Sequence, residues 1–425
     1  MAPLTLAVLG AGERGNIFGN LALQHPERVK VVAVAEVHPS RRSIFASKHS
    51  IADASVFSDW RALAEQPKLA DAVVITTLDR MHYEATILFA QKGYHILCEK
   101  PLATDPNECA KMVKAVQDAG VILAVGHVLR YSPYFVALKK QLDNQAVGDI
   151  LNMIHVEPVG NYHFAHSFVR GNWGRKDLTS FSLMTKSCHD LDIICHMLSP
   201  RRPLFVSSFG SLTHFRKDKK PKEAGDAKRC QECAYEPQCP YSTNKIYMDT
   251  IKGGHKGWPV SVLHPEPDIE NIAEALRTGP YGRCVYECDN DVNDHQVVNI
   301  EFEGGVSVSF TMVATTQLLC QRLTRIHGSL GEITGDMNIF DLFSFQDRQN
   351  QTHHPSTTLG GHGGGDDGLF HAFVEALEKN DQSVLGCTPN DILTSHLLVF
   401  AAESARLSRT VVDFNEFAST YTGLV

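Results

Sequence analysis

The chain has 425 residues, with 40 Lys and Arg against 48 Asp and Glu, a formal net charge of −8, 43% hydrophobic and 21% charged residues. This is length enough for two domains of ordinary globular composition; the acidic balance excludes a nucleic-acid surface, and no apolar run approaches the roughly 18 residues that a membrane span needs. A strand pattern begins almost at once, leaving no room for a signal peptide, and the 11 cysteines, an odd number with several inside apparent strands or helices, suit free thiols in a reducing, cytoplasmic compartment.

Residues 4–9 are a short apolar run that reads as a buried parallel strand. Gly10-Ala11-Gly12-Glu13-Arg14-Gly15 follows, then a helical pattern over 16–24, a second apolar run over 29–35, and Glu36 at its end. This is the strand, glycine turn, helix, strand and acid of a dinucleotide fingerprint. Gly10 allows the tight turn, Gly12 lets the backbone approach a pyrophosphate, and Gly15 lets the helix pack on the strand. The helix N-terminus offers N–H groups to the phosphates. Glu36 stands where an acid accepts from the adenine-ribose hydroxyls, which favours NAD; Arg41 and Arg42 keep NADP open.

Strand 71–77, helix 82–92, strand 94–98, helix 106–118, strand 121–125 and helix 132–142 continue the alternation. It implies an α/β Rossmann domain over residues 1–150, with helices on both faces of a parallel sheet. Lys100, in Glu99-Lys100-Pro101, closes one of these strands, at the end of the sheet where such folds bind ligands. There it can take a hydroxyl proton as hydride leaves the neighbouring carbon.

From 151 the texture changes. Runs 151–157, 204–209, 297–302, 306–313 and 323–327 alternate with period two, and Gly304-Gly305 suits a hairpin. Residues 151–425 therefore read as an α+β domain on a large, mainly antiparallel open sheet. Residues 216–280 form an irregular Cys-containing insertion, and two helices lie within 369–408. Lys186-Ser187-Cys188-His189-Asp190-Leu191-Asp192 opens an amphipathic helix running to Leu198. His189 and Asp192, three apart, share a face. The imidazole can shuttle a proton at a substrate oxygen, and Asp192 can orient it or hold a neighbouring hydroxyl.

The glycine fingerprint, Thr76-Thr77, His82, the Glu-Lys-Pro turn, the Gly126-to-Arg130 segment and the His-Asp-Leu-Asp helix together resemble the glucose–fructose oxidoreductase / inositol dehydrogenase / MocA (Gfo/Idh/MocA) family, over most of the chain. The resemblance implies a nicotinamide enzyme acting on sugars, polyols or cyclitols. It makes Lys100 and His189 the catalytic pair, with Asp192 at the substrate. It adds Glu13, Arg14, Thr76, Thr77, His82, Glu99, Lys100 and His127 to the cofactor contacts, and Arg130 to the substrate contacts. It also implies a homodimer or homotetramer assembled through the open sheet. One position departs: many family dehydrogenases carry an acid four residues before the helix histidine, where this chain has Thr185. Either another residue takes that role, with Lys186 binding substrate, or the chemistry differs.

Several further segments carry candidate chemistry. His163, His166 and Trp173 interleave aromatic and polar groups like a carbohydrate-binding wall. Cys230-x2-Cys233-x5-Cys239 suits a structural zinc thiolate site, with a fourth ligand from Cys284 or Cys288; an iron–sulfur cluster is the alternative. Residues 360–367, glycine-rich with His362, allow close backbone approach to a ligand and an Asp366 helix cap. Two rivals stand beside the dehydrogenase. One is an NAD-dependent glycosidase that oxidises transiently, eliminates, adds water and reduces again. The other is a non-catalytic NAD- or sugar-sensing regulator, for which Lys100 and His189 would be superfluous.

Overall fold

The computed structural model of the chain describes residues 2–356 and 361–423. Six strands, β1 (Leu4–Leu9), β2 (Val29–Ala35), β3 (Val56–Phe57), β4 (Ala72–Ile75), β5 (His95–Cys98) and β6 (Leu123–Val125), form a sheet in the order β3-β2-β1-β4-β5-β6. Every pairing in it is parallel, as the alternating pattern predicts. Its strands are mainly apolar because both faces are covered. Ala7, Leu9, Val73, Ile75 and Ile96 enter one buried cluster; Leu6, Val8, Val74 and Leu97 enter the other. The strand order reverses between β1 and β4, and the turns that leave β1, β4 and β5 meet at that switch point, where such sheets bind ligands.

Nine strands form the second sheet: β7 (Ile150–Pro158), β8 (Pro203–Ser211), β9 (His295–Phe302), β10 (Val306–Val313), β11 (Leu323–Gly328), β12 (Gly331–Gly335), β13 (Phe340–Ser344), β14 (Asn350–His353) and β15 (Val412–Asp413). All pairings are antiparallel except β7 with β10. Gly304 and Gly305, at φ +79° and +77°, make the hairpin between β9 and β10. One face of the sheet buries Met153, Ile300, Phe310 and Ile326. The opposite face carries a largely apolar row across five strands, in register from Phe209 through Val297, Thr311 and Val156 to Leu323. Phe209 is 65% exposed.

Three expectations change. The helix bearing His189 starts earlier, at Ser182, and is not amphipathic: it is buried along nearly its whole length. The second sheet, the helix Pro389–Ser408 and the turn Val128–Tyr131 all pack on it. The helix Gly365–Lys379, read as part of the second domain, instead closes a face of the first sheet. Its Leu369, Phe370, Phe373 and Val374 join Leu6, Val8, Val74 and Leu97 in one cluster. The insertion is irregular only in its first half, a series of three-residue turns. Its second half holds the helix Ile269–Thr278 and a small core of Ile246, Tyr247, Ile251, Val260, Ile272 and Leu276.

Candidate active site

The glycine turn is built as a cradle. Gly10 holds φ +91°, and a Cβ there would stand 2.6 Å from the Thr76 carbonyl oxygen. A Cβ on Gly15 would run into the Gly10 carbonyl oxygen, while over Gly12 nothing lies within 4 Å. Gly12 caps the helix Glu13–Gln24 without a side-chain cap, so the first-turn N–H groups are left for an anion. The Thr76 hydroxyl donates to the carbonyl oxygens of Leu9 and Gly10 at 2.9 and 2.7 Å. The Thr77 hydroxyl is buried without a partner. The Glu36 carboxylate accepts from the Ala11 and His38 N–H groups at 2.7 and 2.8 Å, bracing the turn from the end of β2. Open space over Gly12, an orphaned Thr77 hydroxyl and a carboxylate beside the turn fit a dinucleotide. Glu13 lies at the rim, accepting from the Ser261 hydroxyl at 3.1 Å.

Arg14 ties the cradle to two other elements. Its Nε donates to Glu99 Oε1 and its Nη2 to Asp366 Oδ1, both at 2.6 Å. Asp366 is therefore not the helix cap expected of it; Gly364 occupies the cap position without a side-chain bond. His362 Nδ1 lies 3.1 Å from the other Asp366 oxygen. Burial alone would raise the Asp366 pKa, but the His362 bond and the Arg14 charge hold it well below the usual carboxylate range. Gly360, at the start of this glycine-rich stretch, lies outside the described residues. His82 is fully buried behind the cradle, its ring nitrogens 2.8 Å from the Pro101 and 3.2 Å from the Thr77 carbonyl oxygen, so it props the two turns apart.

Lys100 joins the first sheet to the helix Ser182–Leu198. Its Nζ donates to the Thr185 carbonyl oxygen at 2.8 Å and stands 5.4 Å from the centre of the Trp173 ring. At Thr185, the position that departs from the resemblance, this chain thus presents a backbone oxygen to the lysine. Trp173 Nε1 donates to Asp79 Oδ2 at 3.0 Å. Burial pushes the Asp79 carboxyl up. Asp79, at the end of β4 beyond Thr77, escaped the sequence reading, although its place after a central parallel strand is the signal that could have found it.

His189 sits one helical turn beyond Thr185, 3% exposed, with no partner on either ring nitrogen. Burial, with the Lys100 charge and then His362, holds its pKa well below the ordinary value, so the ring is neutral. The His362 ring is 5.4 Å from it, centre to centre. Asp192 does not orient this imidazole. Arg130 donates to both Asp192 oxygens, at 2.6 and 2.7 Å, and His127 Nδ1 lies 2.9 Å from Oδ1. The shared helical face is real, but a guanidinium from the segment after β6 reaches the carboxylate, so Arg130 is engaged as well. His127 stacks on His396, whose Nε2 accepts from the Leu102 N–H at 2.8 Å.

Beneath the site runs a buried ionic chain that the sequence did not disclose. Lys186 Nζ stands 3.3 Å from Glu157, Arg322 Nε 2.6 Å from Glu157 and 3.0 Å from Asp190, and His155 Nε2 3.3 Å from Asp190. Lys186 also donates to Cys320 Sγ at 2.9 Å, and His163 Nδ1 lies 3.2 Å from the same sulfur. His163 and Lys186 therefore share one wall. His166 is turned instead into the insertion, bonded to the Tyr247 hydroxyl at 3.0 Å and stacked on Tyr281. Burial depresses its pKa to about 3. Cys230, Cys233, Cys239, Cys284 and Cys288 are free thiols, and among the described residues no three His, Cys, Asp or Glu stand ready to hold a metal ion. Nor, among those residues, is any helix long and apolar enough to cross a membrane.

The sequence pattern of one oxidoreductase family covers nearly all of the chain. Its NAD-binding Rossmann-fold part matches residues 4–127 and its C-terminal alpha/beta domain residues 139–413. The protein YteT of Bacillus subtilis (strain 168) is 23% identical over 320 residues, 70% of either chain. The 2,7-anhydro-N-acetylneuraminate hydratase of Escherichia coli (strain K12) is 29% identical over 147 residues, 35% of this chain and 38% of its own. Among solved structures, levoglucosan dehydrogenase in complex with NADH and levoglucosan shares the fold, with a TM-score of 0.71 at 19% identity over 97% of this chain and 99% of that one. A Rossmann cradle, a Glu-Lys-Pro turn facing a buried His-Asp-Leu-Asp helix, and a family pattern that runs from residue 4 to residue 413 make this chain a member of the Gfo/Idh/MocA oxidoreductase family.

Proposed function

We propose that the protein oxidises a secondary hydroxyl of a sugar, glycoside, polyol or cyclitol, or reduces the corresponding ketone, with Lys100 and His189 handling the proton. The observation that carries this reading is the Lys100–Thr185 bond. It brings an ammonium from the first sheet onto the helix whose next turn presents a neutral, unpartnered His189. Bound nicotinamide supplies the hydride acceptor or donor. Lys100 polarises the reacting oxygen, and His189 accepts its proton on oxidation and returns it on reduction. Trp173, His163 and Lys186 line the substrate side, and Asp192 with Arg130 holds the helix in place. The family's NAD-binding part and a levoglucosan-binding relative of the same fold support a carbohydrate-like substrate.

Glu36 supports NAD over NADP, since its carboxylate would meet a 2′-phosphate with like charge. The apolar row from Phe209 to Leu323 supports a homodimer or homotetramer through the open sheet. The test is a screen of sugars, glycosides and cyclitols with either cofactor, followed by reduced-nicotinamide absorbance. Lys100→Ala is expected to lower turnover by about 10²–10⁴-fold while NADH binding persists. Unchanged turnover would remove Lys100 from the chemistry.

A second reading, transient oxidation followed by elimination and return of the hydride, is favoured by one observation. His362 stands beside His189 and is likewise depressed, first by burial, so a second neutral imidazole is at hand for a carbon-bound proton. The hydratase relative is compatible with such a cycle. Stoichiometric NADH release marks the dehydrogenase; product formation without it marks the cycle.

A further inference from the structure

Arg170 is a buried cation without an anion. It is 1% exposed. Its Nε donates to the Arg283 carbonyl and its Nη2 to the Tyr241 carbonyl, both at 2.8 Å; Nη2 also stands 3.3 Å from Cys230 Sγ. Nη1 has no partner. The groups that face it are the Tyr247 hydroxyl and the thiols of Cys230, Cys288 and Cys239; no carboxylate pairs with it among the described residues. Glu236, on the same wall, is taken by the Ser242 hydroxyl. A guanidinium left unpaired in the interior is costly.

The cavity that Arg170 faces has a volume of about 20 Å³, room for one small ion, and four of its lining residues are Cys230, Cys233, Cys239 and Cys284. Cys230 and Cys233 come from one short turn and Cys239 from the end of the next. Cys284 comes from the other side of an antiparallel bridge between Arg229 and Arg283. Cys288 is not on this wall; its thiol donates to the Cys284 carbonyl at 3.3 Å. Among the described residues the four sulfurs are not in coordinating positions as they stand, but all four cysteines border the same small space.

We propose that Cys230, Cys233, Cys239 and Cys284 close on one Zn²⁺ as a structural tetrathiolate site, with Arg170 as its counter-charge. Four thiolates about a divalent ion carry a net charge of 2−, the anion that Arg170 lacks. Loading displaces four thiol protons and involves no redox step. The ion would staple the first half of the insertion, made of three-residue turns, to the segment around Cys284.

Metal analysis of the full-length protein, purified without chelator, is expected to find about one zinc per chain. Replacement by cobalt(II) should give intense sulfur-to-cobalt charge transfer and tetrahedral ligand-field bands. Cys230→Ser and Cys284→Ser should lose the metal, and Cys288→Ser should keep it. Absence of metal, together with no cobalt spectrum on titration of the reduced protein, overturns the proposal. Iron with acid-labile sulfide overturns the zinc assignment, and metal retained in Cys284→Ser but lost in Cys288→Ser overturns the ligand set. The cobalt spectrum is read on the unsubstituted chain, so a variant that misfolds leaves the test intact.

Discussion

Arg130 grips Asp192 through two parallel hydrogen bonds at 2.6 and 2.7 Å, with both side chains all but removed from solvent. Paired charges of this kind do little for stability relative to an apolar pair, but removing one partner strands the other. Asp192→Asn is expected to cost about 3–5 kcal/mol of folding stability. Urea titration checks this, and a loss below about 1 kcal/mol would mean that the pair is not what holds the helix.

Catalysis should persist into mild acid. His189 stays neutral well below the ordinary imidazole range, because burial and the Lys100 charge oppose its protonation. The acid limb of kcat/KM should therefore fall below about pH 6.5, the ordinary histidine value. His189→Gln should lower kcat by about 10²-fold or more, with cofactor affinity held. A limb centred on the ordinary value and abolished in His189→Gln would contradict the depressed pKa.

Folding stability should show the opposite sensitivity. His163, His166, His189 and His396 are all depressed, burial being the first cause of each, with His166 and His396 at about 3. Below the ordinary value the unfolded chain binds protons that the native chain refuses, so stability falls as pH falls. Each such histidine contributes about 1.4 kcal/mol per pH unit, from about pH 6.5 down to its native pKa. Denaturant midpoints at pH 7 and pH 5 check this; equal midpoints would contradict it.

The apolar row on the open sheet predicts an assembly that one charge can break. Phe209→Lys should shift the protein to a smaller species in light scattering coupled to size exclusion, with little change in unfolding of the monomer. No change in mass would remove this face from the interface.

The first half of the molecule was legible because its signals are local. Glycine spacing, a terminal acid and alternating apolar runs are read within a few residues of one another. What escaped reading is what distant segments supply. His189 and Asp192 do share a helical face, yet the partner of Asp192 is Arg130, 62 positions earlier. Asp366 has the residue type of a cap but lies in the first turn of its helix and answers to Arg14, 352 positions away. The Lys100 contact at Thr185 is made by a backbone oxygen, which every residue type provides and no sequence marks. Strands β12 to β14 are short, contain glycine and polar residues, and lie at the edge of their sheet, so their periodicity is too brief to register.

The helix Gly365–Lys379 gives the molecule an unusual dependence on its own order of synthesis. Leu369, Phe370, Phe373 and Val374 roof a face of the nucleotide-binding sheet. That sheet therefore emerges from the ribosome with part of one face uncovered and stays so until residues 365–379 have been made. The common habit of N-terminal domains folding first is closed to it, and an excised nucleotide-binding fragment would present bare hydrocarbon where the intact chain presents a helix.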